Sequence, residues 1–259
     1  MKVALKTWTG LGLATALVGA GLAGCAGEGG ETGEGGESAQ TSQTGEAGEG
    51  EGGEGEGGES STVIGSLPAP KRVAFMSGHV AAGIALYRAG DAEAAAPHML
   101  HPVSETHASE RAGLEQLGFD AAPFEMVAAA LEAGRSAEEI EPQLQAAEAN
   151  LAAVRTAAGG DPAELIRYLM EVTVEEYTIA VPDQTVTDPG EYQDAWGFVK
   201  VAREVADDAD LAKADQIRAT LDEMLELWPA DAPIPPNDPA RAGQVSALAA
   251  RVLLDLPQT

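Results

Sequence analysis

Residues 26–61 contain no Leu, Ile, Val, Met, Phe, Tyr or Trp, only Ala, Gly, Ser, Thr, Gln and ten Glu. A segment with nothing apolar to bury cannot offset the entropy of ordering, and its Glu side chains repel one another. It is expected to be a disordered, extended tether. Any fold is thereby confined to residues 62–259. The full chain carries −27; without the two lysines of the first 24 residues it carries −29, and the ten tether glutamates leave −19 on the remainder. A surface this acidic argues against a nucleic-acid partner, because phosphate affinity comes from Lys and Arg.

Within residues 62–259 apolar residues recur three and four apart, Ala is abundant and β-branched runs are scarce, which is the helical period. Pro70 precedes a segment with Val73, Met76, Val80, Ile84 and Tyr87 near one face. Asp91 suits the N-cap of the next helix, with a kink or break expected at Pro97 and Pro102. Helix is then expected to continue to about Leu117, with Gly118 as its stop. Pro123, the capping box Ser136 to Glu139, Asp161-Pro162 and Asp188-Pro189 open further helices. Two more are expected over residues 211–228 and up to about Leu254. The reading is all-α: a bundle of seven or eight helices.

The N-terminus has Lys2 and Lys6, an apolar stretch from Leu11 to Leu22, and the end Leu22-Ala23-Gly24-Cys25. This layout is that of a secretory signal. The last four residues resemble the lipobox of bacterial lipoproteins. The resemblance implies a signal peptide over residues 1–24 and lipid attachment at Cys25, the only Cys in the chain. Residues 25–61 then tether the domain to a membrane. Ala26 makes the outer membrane, facing the periplasm, the default location.

All four His residues, His79, His98, His101 and His107, lie within 29 consecutive positions. A turn at Ala89-Gly90-Asp91 folds this stretch into a helical hairpin. His79 is eleven residues before Gly90, while His98 and His101 are eight and eleven after it. At about 1.5 Å per residue the three should meet at similar depth. On a continuous helix His98, His101 and Glu105 share a face. Two or three imidazoles with a carboxylate are a donor set for iron, zinc or copper. The bland alternatives are core histidines bonded to neighbours, a solvent-facing His107, and a His101-Pro102 turn with Glu105 in the first turn of the next helix.

A second constellation lies in residues 174–198: Glu176, Tyr177, Glu191 and Asp194 on two helices flanking a short loop. Carboxylates on facing helices are how bundles build iron sites. The alternative is that Glu191 and Asp194 only complement a helix dipole. The pattern Glu176-Tyr177, loop, Glu191-Tyr192 resembles the helical extracytoplasmic domain of bacterial iron permeases over about 25 residues. Asp194 stands where that family often has Glu. The permease's membrane helices and their Arg-Glu-x-x-Glu motifs have no counterpart here, so the resemblance implies binding or delivery of iron rather than transport. The stretch from Gly78 to Glu105 is similar to a phrase of uncharacterised helical periplasmic proteins and implies no activity.

There is no Gly-x-Ser-x-Gly elbow, phosphate-binding loop, His-Glu-x-x-His or Cys-x-x-Cys-His. Two readings follow. In the first, a lipid-anchored envelope protein binds a transition metal, iron preferred, through His79, His98, His101 and Glu105. In the second, a metal-free lipoprotein serves structure or contacts an envelope partner.

Overall fold

The computed structural model describes residues 61–257; the signal segment, Cys25 and nearly all of the tether lie outside the described residues. Ten α-helices and no strand occur among those described. They are α1 (Ser61–Ser66), α2 (Ala69–Arg88), α3 (Ala92–Leu100), α4 (Ala108–Arg111), α5 (Ala122–Glu132), α6 (Glu141–Ala158), α7 (Pro162–Ala180), α8 (Pro189–Asp208), α9 (Ala214–Leu225) and α10 (Ala242–Asp255). Eight of the ten run nine residues or more. No helix among the described residues is long and apolar enough to cross a membrane.

Three aspartates start helices as their positions foretell. Asp91 accepts the Ala94 amide at 3.1 Å, opening α3. Asp161 accepts the amides of Ala163 and Glu164, and Asp188 those of Gly190 and Glu191, opening α7 and α8. Each satisfies orphan N–H groups of a first turn, typically worth about 1 kcal/mol. The Ser136 box is half made: its amide donates to Glu139 at 2.9 Å, but a 3₁₀ turn follows and α6 begins only at Glu141.

The stretch between α3 and α5 departs from expectation. Pro97 is absorbed inside α3, which continues to Leu100. A 3₁₀ turn, His101–Val103, comes next, and Ser104 is extended. The expected helix to Leu117 is replaced by the single turn of α4 and a 3₁₀ turn, Leu114–Leu117. Pro102 removes an amide donor, and Gly113 at φ 78° reverses the chain.

Helices α7, α8, α9 and α10 each pack against two of the other three, closing a four-helix ring. Helix α2 lies against α7 and α8 on one side and α3 and α6 on the other. It therefore feeds two apolar clusters. Phe75 and Ala82 join Tyr177, Tyr192, Phe198 and Leu221 of the ring. Val73, Met76, Val80 and Ile84 join Met99, Phe124 and Leu144 of α3, α5 and α6.

The contact of α2 with α8 depends on two glycines. A Cβ on Gly197 would stand 2.1 Å from the Gly78 carbonyl oxygen, and one on Gly78 2.2 Å from the Phe198 ring. Backbone therefore meets backbone. Gly83 makes room for side chains of α3: a Cβ there would lie 2.9 Å from His98 Cβ and from the Met99 side chain. These close approaches draw the Gly78 to Gly83 stretch of α2, the end of α3 and the first half of α8 onto each other.

Candidate functional site

The residues adjoining those glycines form the site. His79 follows Gly78 on α2, His98 faces Gly83 from α3, and Asp194 lies three residues before Gly197 on α8. All three are nearly inaccessible, at 5%, 4% and 4% exposure. Asp194 Oδ1 is 2.7 Å from His79 Nδ1 and 2.9 Å from His98 Nδ1. Asp194 Oδ1 and both ring nitrogens of His79 are buried without a hydrogen-bond partner. Buried polar atoms are almost always satisfied, so this concentration is unusual.

Second contacts orient the donors. His98 Nε2–H donates to the Gln193 side-chain carbonyl at 2.8 Å. This contact fixes the ring with Nδ1 facing Asp194. The ring of Phe75 meets His79 edge-on at 4.6 Å, and Phe198 does so at 5.5 Å, forming a dry wall. Burial opposes ionisation of Asp194, but the imidazoles of His79 and His98 outweigh it and hold the carboxyl far below its ordinary range. Asp194 is a carboxylate at neutral pH. The three atoms are close enough together to hold one metal ion.

His101 is drawn in as the hairpin depth required, its ring stacked on His79 at 4.1 Å between centroids. It belongs to another group, however. His101 Nε2–H donates to Glu110 Oε2 at 2.6 Å, and His107 Nδ1–H donates to Glu110 Oε1 at 3.0 Å. Burial, reinforced by the neighbouring His79, pushes His101 down to about 4, so it is neutral at pH 7. Burial opposes the Glu110 charge, but its two imidazole bonds bring that carboxyl down to about 2.

Glu105 is not brought to either group. Its side chain is 96% exposed, with Arg111 at 3.8 Å. The shared face predicted for His98, His101 and Glu105 needs a continuous helix, and the 3₁₀ turn with extended Ser104 breaks it. His107, read from sequence as one of the clustered histidines or as solvent-facing, pairs with Glu110, which the sequence reading did not single out although His-x-x-Glu is a helical spacing that places both on one face. Met76 and Met99 are buried in the apolar cluster between α2 and α3.

The second constellation divides. Asp194 joins the histidines. Glu176 of α7 and Glu191 of α8, 2% and 4% exposed, hydrogen-bond to each other. Burial and then this bond raise Glu176; burial also raises Glu191, although its bond to Glu176 works the other way. Two buried carboxylates in contact cannot both ionise, so the pair keeps one proton. Asp194 is near enough for its charge to act on both. Tyr177 turns away: its hydroxyl donates to the Ala240 carbonyl at 2.8 Å, and its ring packs on Tyr192 and Trp228.

Residues 160–258, which contain the four-helix ring and both Glu176 and Asp194, match the model of the iron permease-associated 4-helix bundle domain. The chain is similar to that domain over this region. No curated protein and no solved structure matches.

Proposed function

We propose that this chain is a lipid-anchored protein of the bacterial cell envelope whose helical domain binds a transition-metal ion, iron first, with zinc and copper as competitors. The observation that carries the reading is the convergence of His79 Nδ1, His98 Nδ1 and Asp194 Oδ1, all buried, with His79 Nδ1 and Asp194 Oδ1 lacking a hydrogen-bond partner. Two imidazoles and one carboxylate are the donor set that holds Fe²⁺ while leaving other positions open.

The charges support the same ion. A divalent cation with ionised Asp194 leaves one positive charge in a dry site. The Glu176–Glu191 pair, holding one proton, supplies the one negative charge that balances it. Similarity of residues 160–258 to an iron permease-associated domain supports iron and the envelope setting. Cys25 is the proposed lipid attachment, with residues 26–61 as the tether that lets the domain reach an envelope partner giving or taking the metal. No enzymatic step is proposed.

The experiment is equilibrium binding of Fe²⁺, without oxygen, to the full chain purified without a histidine tag, against a chelator strong enough to silence loose carboxylates. Asp194→Asn and His98→Ala should each weaken the site at least 10-fold while the helical circular dichroism is kept. Unchanged binding in both variants overturns the site and leaves the metal-free interaction lipoprotein as the reading.

A further inference from the structure

The same region contains a second donor set of the same composition: His101, His107 and Glu110, whose ligand atoms also lie within reach of one ion. His101 and Glu110 are 2% and 1% exposed, while the His107 side chain, at 13%, is the part nearest solvent. The set is held rigidly. Arg72 of α2 donates to the backbone carbonyls of Glu110 and Ala112 at 2.7 and 2.9 Å, pinning α4 against α2.

Four imidazoles form a column. Ring centroids of His98 and His79 are 6.3 Å apart, those of His79 and His101 4.1 Å, and those of His101 and His107 3.7 Å. At its middle, where the two donor sets meet, His101 Nδ1 and both nitrogens of His79 are buried with no hydrogen-bond partner. A histidine core serving packing alone would satisfy those atoms or replace them with carbon.

We infer that the chain binds two metal ions side by side, an inner one at His79, His98 and Asp194 and an outer one at His101, His107 and Glu110. The outer site extends the reading given under Proposed function but rests on its own donors. In the metal-free form the N–H groups of His101 and His107 occupy Glu110. An ion entering past His107 displaces both contacts, and each neutral ring then carries its proton on its other nitrogen. The outer position is the more accessible, through the His107 side chain.

The test counts tight Fe²⁺ equivalents on the whole tag-free chain, against a chelator, for the wild type, His98→Ala, His107→Ala and Glu110→Gln. His107 is the most exposed of the donors, so His107→Ala is the variant safest for folding. Two equivalents in the wild type, and one in each variant, is the expected result. Two equivalents retained by both His107→Ala and Glu110→Gln overturn the outer site. One equivalent in the wild type, lost in His98→Ala and kept in His107→Ala, overturns the outer site and leaves the inner one standing. One equivalent lost in His107→Ala and kept in His98→Ala does the reverse. No tight equivalent overturns both.

Discussion

Gly197→Ala probes what brings the inner donors together. The added Cβ would stand 2.1 Å from the Gly78 carbonyl oxygen and 2.8 Å from its carbonyl carbon. A comfortable carbon–oxygen contact is about 3.3 Å, so α2 and α8 must part by roughly 1 Å. Both sides of the clash are backbone, and no rotamer change relieves it. Overpacking of this kind typically costs about 1–3 kcal/mol, here at the upper end, while Ala returns about 1 kcal/mol of helix propensity. The net loss is about 2 kcal/mol, a fall in Tm of about 4–8 °C for a domain of this size. His79 and Asp194 ride on the parted helices, so Fe²⁺ affinity should fall at least 10-fold as well. Gly243→Ala, on α10 with nothing within 4 Å of the new Cβ, is the control and should leave both unchanged or raise Tm slightly. Thermal unfolding followed by circular dichroism, with metal titration alongside, reads both effects. A Gly197→Ala protein that melts at or above the wild type and binds metal equally well refutes the close crossing as the origin of the site.

Gly83→Ala presses on His98 Cβ and Met99 at 2.9 Å; the flexible Met99 end can yield, so metal affinity should suffer more than Tm, and the reverse order would place His98 outside the site. Glu176→Gln should flatten the fall of stability with rising pH. Glu176 is raised in the folded state, so above the ordinary carboxylate range the folded chain binds the extra proton and loses up to about 1.4 kcal/mol per pH unit, a slope absent from the variant in urea melts. In acid the sign reverses for His101. Lowered to about 4 by burial, it leaves the unfolded chain binding the extra proton between about pH 4 and 6.5, so stability falls by about 3 kcal/mol on acidification through that window. His101→Gln should lose this part of the slope, and an unchanged slope would contradict a neutral buried ring.

The helices were legible where chemistry is local. Asp91, Asp161 and Asp188 cap because their side chains reach amides two or three residues on, a matter of sequence alone. The register of His79 against His98 and His101 was legible for the same reason, since helix rise and one turn fix it. Asp194 was not assigned to the histidines. It is 115 positions from His79, and only the meeting of Gly78 with Gly197 places it there; each glycine by itself reads as a weak spot in a helix. Glu105 entered the predicted set because the i, i+4 rule was carried past Pro102, where a 3₁₀ turn and an extended residue end the helical period. Once that period is broken, the useful spacing is the short one between His107 and Glu110. Glu176 and Glu191 were seen as a facing pair, but sequence could not show that burial would make them share a proton.

The most direct measurement is X-ray absorption at the iron edge on the tag-free chain carrying one equivalent of Fe²⁺. Imidazole back-scattering from two rings, with nitrogen and oxygen neighbours at about 2.0–2.2 Å, is the expected result, and it should be lost in the His79→Ala, His98→Ala double variant. An all-oxygen shell without imidazole features would place the iron on carboxylates elsewhere in the chain and contradict the site.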